Sequence, residues 1–130
     1  MRDIKDRVIL ITGASSGFGM VTAKMCVDLG AKVILGARRQ DRLEELCASL
    51  GSQNAIFKTS DVTSKKEVHD LANYGISTFG HIDALVNNAG VMPLSLLEKG
   101  RTDEWDQMID VNIKGVLYGI DAVYSHMLER

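Results

Sequence analysis

The chain has 130 residues, of which 45% are hydrophobic and 25% charged, and its formal net charge is −2. These values are typical of one globular domain, and a chain of this length can bury about two thirds of its unfolded surface. No basic face stands out, so we expect no nucleic-acid partner. No run approaches the roughly 18 apolar residues that a membrane span needs, so we expect no membrane association.

The first six residues contain no apolar stretch of the kind that a signal peptide carries, so we expect the cytoplasm. Cys26 and Cys47 both fall on apolar faces of predicted helices. We therefore expect buried, reduced thiols and no disulfide. The histidines are scattered without the spacing of metal ligands, and we expect no metal site.

Apolar runs typical of strands alternate with helical patterns along the chain. Strands are predicted at residues 8–11, Lys32–Ala37, Ala55–Thr59 and Ala84–Val86. This alternation predicts an α/β fold, a Rossmann-like parallel sheet with strand order 3-2-1-4 and helices on both faces. Right-handed crossovers would put the first two helices on one face and the later helices on the other. The cleft at the carboxyl ends of strands 1 and 4 is then the expected ligand site.

The predicted helices follow from apolar residues spaced three or four apart. For the first helix the expected inner stripe is Val21, Met25 and Leu29, with Thr22 and Cys26 beside them. For the second it is Leu43, Leu46, Cys47 and Leu50, and for the third Val68, Leu71, Ala72 and Phe79. Ser64 and Glu67 form a capping pair at the start of the third helix. For a long helix over residues 103–129 the stripe is Trp105, Ile109, Ile113, Val116, Leu117, Ile120, Tyr124 and Met127.

A glycine-rich turn, residues 12–19, joins the first strand to the first helix. Its candidate binding residues are Gly13, Ser15, Ser16, Gly17, Phe18 and Gly19. Glycine takes positive φ and lets the backbone approach a ligand closely. The helix start offers N–H groups and a positive dipole end, which suit a pyrophosphate, and the serines can cap the helix or bond a phosphate oxygen. The alternative is an ordinary tight turn.

Arg38 and Arg39 follow the second strand, about 20 positions beyond the turn. A dinucleotide-binding fold places there the group that meets the adenosine ribose, an acid for a free 2′-hydroxyl or an arginine for a 2′-phosphate. The chain has arginines and no carboxylate at this point. Guanidinium groups fit a phosphate, so we expect NADP(H) to be preferred over NAD(H). The alternative is a pair of solvated arginines at the start of a helix.

Polar residues also follow the third and fourth strands. Asp61, next to Val62, can accept a hydrogen bond from an adenine amino group, or it can be a solvated carboxylate that stabilises a helix start. The segment Asn88, Ala89 and Gly90 suits backbone approach to a cofactor, or it is a generic asparagine-rich turn. Asn112 lies inside the long helix although asparagine is a poor helix former. If it is buried, it must bond the helix backbone or a water.

Together these segments resemble the short-chain dehydrogenase/reductase family. The resemblance rests on residues 12–19, on Asp61, on residues 87–90 and on Asn112 in a Val-Asn context, in family order and spacing from residue 7 to residue 127. It implies hydride transfer between a nicotinamide and a carbonyl or alcohol. It also implies that the glycine-rich segment holds the pyrophosphate and that the position of Arg38 selects NADP. In the same way it implies that Asp61 and Val62 bracket the adenine, that residues 88–90 line the cofactor and that Asn112 belongs to the catalytic tetrad.

The family's serine and Tyr-x-x-x-Lys pair have no counterpart in this chain. Its tyrosines, Tyr74, Tyr118 and Tyr124, are each followed four residues later by Thr78, Ala122 and Leu128. The resemblance thus implies that residues 1–130 are an incomplete NADP-binding domain that stops before the family's strand 5. We expect no catalysis by the chain alone. The alternative is a non-catalytic dinucleotide-binding or assembly module.

An incomplete domain would leave apolar surface without cover. Strand 4 would be an unprotected edge, and the helix over residues 103–129 would expose apolar side chains. We therefore expect either self-association or pairing with a complementary C-terminal part.

Overall fold

The computed structural model describes residues 3–130; Met1 and Arg2, which open the segment considered for a signal peptide, lie outside them. The strands are β1 (Val8–Thr12), β2 (Lys32–Ala37), β3 (Ala55–Thr59) and β4 (Ala84–Val86). The helices are α1 (Gly17–Asp28), α2 (Gln40–Leu50), α3 (Lys65–Phe79), α4 (Thr102–Ile109) and α5 (Gly115–Leu128). A π-helical segment, Asp110–Lys114, joins α4 to α5, so the long helix predicted from sequence is continuous but not α-helical throughout.

The four strands form one parallel sheet in the order β3-β2-β1-β4, as predicted. In the register of the sheet Leu10 of β1 lies opposite Ile34 of β2 and Leu85 of β4. Every residue of β1 is buried. A strand covered on both faces carries a continuous apolar run instead of an alternating one, which is why the sequence located β1 and β2 so closely.

Apolar side chains pack on both faces of the sheet. One core joins Ile11 and Leu35 of the sheet to Leu43 of α2 and to residues of α1. The other joins Leu10 and Ile34 to Leu71 of α3 and Val123 of α5. The helices therefore lie on the faces predicted from right-handed crossovers, with α1 and α2 on one side and α3 and α5 on the other.

The predicted inner faces of α2 and α3 are confirmed. Leu43, Leu46 and Cys47 are buried on α2, as are Val68, Leu71 and Ala72 on α3. The Ser64 hydroxyl accepts a hydrogen bond from the Glu67 N–H at 3.3 Å, which is the predicted cap of α3.

The predicted inner stripe of α1 is wrong. Val21, Met25 and Leu29 are 49%, 59% and 59% exposed, and the helix instead buries Gly19, Ala23 and Cys26. Small side chains let the helix axis approach the sheet closely. The larger apolar residues on the same helix therefore face away from the sheet.

The predicted inner stripe of the long helix is also mostly wrong. The residues that α5 buries are Gly115, Gly119 and Val123. A Cβ on Gly115 would meet Val62 Cγ2 at 2.8 Å, so the closest approach of the helix to its neighbours depends on glycine. Of the predicted stripe, Val116 and Met127 are half-buried, whereas the exposed members are Trp105, Ile109, Ile113, Leu117, Ile120 and Tyr124.

Cys26 and Cys47 are buried free thiols, as predicted. Burial raises the pKa of the Cys47 thiol to about 11, so it stays protonated at neutral pH. Across residues 3–130 the structure contains no helix with the length and apolarity to cross a membrane.

A polar network lies at the amino-terminal end of the sheet, away from the predicted cleft. The Asp83 carboxylate accepts from the Val8 N–H at 2.8 Å and from the guanidinium of Arg7 at 3.2 Å. Arg130 and His81 contact the same carboxylate. Although burial acts to raise it, the pKa of Asp83 is held below its usual range by the Val8 N–H, by the Arg7 guanidinium and by its neighbours His81 and Arg130. The network ties the starts of β1 and β4 together.

Candidate functional site

A cleft of about 680 Å³ lies at the carboxyl ends of the strands, where the strand order reverses beside β1. This is the topological switch point at which open α/β sheets bind ligands. Most of the residues predicted from sequence line it: Gly13, Ser15, Ser16, Phe18, Arg38, Arg39, Asp61, Val62, Asn88, Ala89 and Gly90. Segments far apart in sequence therefore meet at one place.

The glycine-rich turn is packed against the segment that follows β4. Gly13 has φ +65°, and a Cβ there would lie 2.8 Å from the Ala89 Cα. A Cβ on Gly19 would overlap the Gly13 carbonyl and the Asn88 side chain. At Gly13 both the positive φ and the lack of space exclude a side chain, whereas at Gly19, which is helical, the lack of space alone does so. Gly17, with φ +57°, belongs to the same turn but does not line the cleft.

Hydrogen bonds fix this contact between the two segments. The buried Thr12 hydroxyl oxygen accepts from the N–H groups of Asn88 and Ala89, each at 3.1 Å. The Asn88 side-chain amide donates to the carbonyls of Thr12 and Gly13 at 3.2 and 3.1 Å. The residue types at 12 and 88 thus set the shape of the cleft floor. Thr12 belongs to the glycine-rich turn predicted at residues 12–19, but its hydroxyl was not among the predicted binding groups.

Helix α1 begins at the cleft without a side-chain cap. Ser16 occupies the N-cap position, but its hydroxyl makes no capping bond to the helix and instead accepts from Arg39 Nη2 at 3.3 Å. The first N–H groups of a helix have no partner within the helix and carry the positive end of its dipole. Phe18, in this first turn, is 86% exposed at the cleft.

Positive charge predominates at the end of the cleft formed by β2 and β3. Arg38 and Arg39 line it together with a single acidic residue, Asp61. Both arginines are exposed at the surface. The contact between Arg39 and Ser16 brings a guanidinium across to the start of α1. An anionic group bound here would meet both a guanidinium and the helix terminus.

The Asp61 carboxylate has a local structural role. Its Oδ1 accepts from the Thr63 N–H at 2.9 Å and from the Thr63 hydroxyl at 2.8 Å, just before the cap of α3. This is the geometry of the helix-leading alternative considered from sequence. The neighbouring Val62 is buried against Gly115 of α5 while also lining the cleft.

Asn112 holds the loop that follows the cleft segment. Its Oδ1 accepts from the Val91 N–H at 2.8 Å, and its Nδ2 donates to the Val91 carbonyl at 2.7 Å. The bond to the helix backbone or to a water was expected only for a buried asparagine; Asn112 is exposed, and the neighbouring loop satisfies both of its polar atoms. Asn112 lies in the π-helical segment and does not line the cleft itself.

The cleft is also lined by residues that were not predicted from sequence, among them Ser60, Val91, Gln107 and Val111. Val91 adjoins the asparagine-containing segment and could have been included from its position. Gln107 and Val111 reach the cleft only because α4 and the π-helical segment fold back over it, and no local pattern marks them. Within residues 3–130 no three His, Cys, Asp or Glu side chains converge as metal ligands.

The sequence of this chain is similar to one protein family and to several curated oxidoreductases. The family model described as short chain dehydrogenase matches residues 7–130. An uncharacterized oxidoreductase from Staphylococcus saprophyticus is 54% identical over all 130 residues, which cover 53% of that protein. An uncharacterized oxidoreductase from Listeria monocytogenes is 48% identical over 129 residues, or 52% of its length. The chain thus spans about half the length of these curated relatives.

Solved structures give the same picture. A short-chain dehydrogenase/reductase from Burkholderia phymatum, crystallised in complex with NAD, is 30% identical with a TM-score of 0.93. The match covers 99% of this chain and 47% of the Burkholderia phymatum chain. Serine dehydrogenase from Escherichia coli is 36% identical with a TM-score of 0.87, covering 95% of this chain and 57% of that one.

Proposed function

This chain belongs to the short-chain dehydrogenase/reductase family, and on that premise we propose that it is the NADP(H)-binding portion of an oxidoreductase. The observation that carries the proposal is the cleft at the switch point of the sheet, whose floor fits only a glycine backbone. In a complete enzyme the bound dinucleotide would supply or accept the hydride exchanged with a carbonyl or alcohol.

The turn at Gly13 and the start of α1 are the proposed site of the pyrophosphate. The N–H groups at the start of α1 lack partners within the helix, and the hydroxyls of Ser15 and Ser16 line the same wall. Backbone donors of this kind bind a doubly charged pyrophosphate without needing a basic side chain. Residues 88–90 form the opposite wall, and the Thr12 hydroxyl holds that wall in position.

The choice of NADP(H) over NAD(H) rests on Arg38 and Arg39. We propose that these guanidinium groups bind the 2′-phosphate and that the Oδ2 atom of Asp61 accepts from the adenine amino group. Support comes from Arg39, whose contact with Ser16 already places its guanidinium between β2 and the start of α1. The Burkholderia phymatum neighbour was crystallised with NAD, so the preference has to be measured on this chain.

Titration with both dinucleotides tests this choice. For Arg39→Ala we expect the affinity for NADPH to fall about 10- to 100-fold, the effect of losing one charge-assisted hydrogen bond, and the affinity for NADH to change little. The control is Arg42→Ala, which removes an exposed arginine in the first turn of α2, just after Arg39, that does not line the cleft. Equal losses for NADPH and NADH, or equal effects of both substitutions, would contradict the proposal.

We also propose that the chain alone does not turn over substrate. It contains no Tyr-x-x-x-Lys pair, and the general acid/base contribution that such a pair makes is worth about 10²–10⁴ in rate. Both polar atoms of Asn112 already bond to Val91, which supports a positioning role for this residue over direct proton transfer. Robust NADPH-dependent reduction of a panel of carbonyl compounds by the purified chain would contradict this part of the proposal.

A second candidate is a non-catalytic dinucleotide-binding or assembly module. The exposed apolar residues of α5 and the short edge strand β4 favour association, either with another copy or with a complementary C-terminal part. Restoration of activity by an added C-terminal part would favour the oxidoreductase. Association without activity would favour the module.

The buried free thiols of Cys26 and Cys47 support a reducing compartment, and we propose the cytoplasm.

A further inference from the structure

The outer edge of the sheet, at β3, borders a second cavity. Its volume is about 400 Å³, and it shares no lining residue with the cleft at the carboxyl ends of the strands. The cavity is lined by residues 55–57 of β3, by Cys47 and Ala48 of α2 and by Tyr74 of α3, among others. Since α2 and α3 lie on opposite faces of the sheet, the cavity extends along β3 from one face to the other. We call it the β3 groove.

Backbone groups at the centre of β3 point into this groove. The Asn54 carbonyl accepts from the Val33 N–H at 2.8 Å. The Ser60 N–H donates to the Ala37 carbonyl, also at 2.8 Å. Because alternate residues of a parallel strand bond to the same neighbour, the even-numbered residues of β3 face β2. The N–H and carbonyl of Phe57 therefore point away from the sheet, and no turn or loop backbone within residues 3–130 bonds to them.

The two sides of the β3 groove differ in chemistry. Phe57 packs on the core under α2, whereas Ile56 packs on the core under α3. Side chains alternate between the two faces of a strand, so Lys58 lies on the same side as Ile56. The side at α2 is therefore lined mainly by small and apolar residues, with Cys47 and Ala48 beside Phe57. The side at α3 carries a positive charge.

The Lys58 charge is available to a partner. The side chain is exposed, and its ammonium lies 5.8 Å from the centre of the Tyr74 ring. The nearby Asp70 forms its ion pair within α3 instead. On the side at α2, the Glu44 carboxylate accepts from the Gln40 side-chain amide at 2.8 Å. The groove thus offers one cation, one apolar recess and the hydrogen-bonding groups of a strand edge.

We propose that the β3 groove binds an extended peptide segment of another protein, in which apolar and acidic residues alternate. The segment adds as a strand beside β3 and bonds to the N–H and carbonyl of Phe57. Its apolar side chains enter the recess beside Ala48, and its carboxylates lie next to Lys58 on the other face. This interaction goes beyond the proposed function, since the groove and the cleft have no residue in common.

Charge favours such a peptide over a second copy of the chain. The β3 strand of another copy would bring a further Lys58 to the groove in place of an acid. Lysine on an edge strand opposes this kind of pairing. Self-association through β3 is an outcome that the test below detects.

The probes are capped, fluorescein-labelled peptides of eight residues in which leucine alternates with aspartate, with asparagine or with lysine. Binding to the full chain is measured by fluorescence anisotropy. We expect the aspartate peptide to bind saturably, with a dissociation constant below about 1 mM. It should bind about tenfold more tightly than the lysine peptide, because opposite charges across neighbouring strands attract and like charges repel.

Two substitutions locate the site. Lys58→Glu should reverse the preference, so that the lysine peptide binds more tightly than the aspartate peptide. Its matched control is Lys24→Glu, the same charge change at an exposed position of α1 outside both cavities. Ala48→Lys should weaken all three peptides about tenfold, because it places a charge in the apolar recess. Circular dichroism and NADPH titration check each variant, and neither should change, since Lys58 and Ala48 do not line the cleft.

Two N-methylated forms of the aspartate peptide test the backbone pairing. One form is methylated at every leucine nitrogen and the other at every aspartate nitrogen. Only one of these sets of N–H groups faces β3 in an added strand, so one form should lose binding and the other should keep it. The amide hydrogen of Phe57 should also exchange more slowly when the unmodified peptide is bound.

Four results would overturn the inference. The first is that no peptide binds with a dissociation constant below about 1 mM. The second is that Lys58→Glu leaves the order of the peptides unchanged. The third is that both N-methylated forms bind equally well. The fourth is that the chain alone sediments as a dimer that Ala48→Lys dissociates, which would make a second copy the occupant of the groove.

Discussion

The cleft end of the sheet differs from the flank formed by β4, α1 and α5. At the cleft end polar groups are hydrogen-bonded within the chain, whereas along this flank apolar side chains are exposed. At the cleft end hydrogen bonds join three separate segments, because Thr12 bonds to Asn88 and Asn112 bonds to Val91. Along the flank the large apolar side chains of α1 and α5 remain exposed beside a three-residue strand. We therefore expect the binding end to be organised by this chain alone and the apolar flank to be covered by a partner.

The largest effect is expected from Thr12→Val, which keeps the shape of the side chain but removes the hydroxyl that accepts from two backbone N–H groups. Leaving these donors without a partner should lower the free energy of unfolding by about 2–4 kcal/mol and abolish dinucleotide binding. Urea denaturation measures the loss, with Thr59→Val at the exposed end of β3 as the control. Equal, small losses in both variants would show that the cleft does not depend on this hydroxyl.

An intermediate effect is expected at Asp83, the polar anchor at the start of β4. Its pKa is lowered in the folded chain, so its contribution to stability is present above the unfolded value of about 3.9 and is lost as the pH falls through the lower folded value. Asp83→Asn should therefore lower the free energy of unfolding at pH 7. It should also make this free energy fall less steeply as the pH is lowered below about 4. Urea midpoints between pH 7 and pH 2.5 check this, with Asp28→Asn on the exposed side of α1 as the control. Parallel acid curves for Asp83→Asn and the unsubstituted chain would contradict the assignment.

The smallest effect is expected from Asn112→Ala. The two hydrogen bonds to Val91 lie at an exposed position, so their loss should cost about 1 kcal/mol and weaken NADPH binding about fivefold. The rate of amide hydrogen exchange in residues 88–91 should increase, because Asn112 no longer holds this loop. The control is Asn54→Ala, an exposed asparagine that also bonds a backbone carbonyl, far from the cleft. Unchanged exchange and affinity would mean that the loop is held by other contacts.

The strands and their order could be predicted from sequence because buried parallel strands are short apolar runs separated by helical patterns. The inner faces of α2 and α3 were also predictable, since charged residues mark their outer sides. The inner faces of α1 and α5 were not. Periodicity selects the largest apolar residues, whereas these helices touch their neighbours through Gly19, Ala23, Gly115 and Gly119.

The candidate site was predictable where backbone geometry dictates the residue type. Gly13 stands where only glycine fits, Asn88 donates two side-chain hydrogen bonds to the same turn, and both were predicted from the spacing of the motif. The double role of the Thr12 hydroxyl and the pairing of Asn112 with Val91 required the fold, because the partners lie 76 or 77 positions apart in one case and 21 in the other. No local pattern carries such information.

The most direct test of the central claim is a calorimetric titration of the purified chain with NADPH, with NADH alongside. If the cleft end is organised without a partner and Arg38 and Arg39 bind the 2′-phosphate, NADPH should bind saturably and more tightly than NADH. Binding of neither dinucleotide would contradict the claim that this end of the molecule is self-sufficient, and tighter binding of NADH would contradict the role of the arginines.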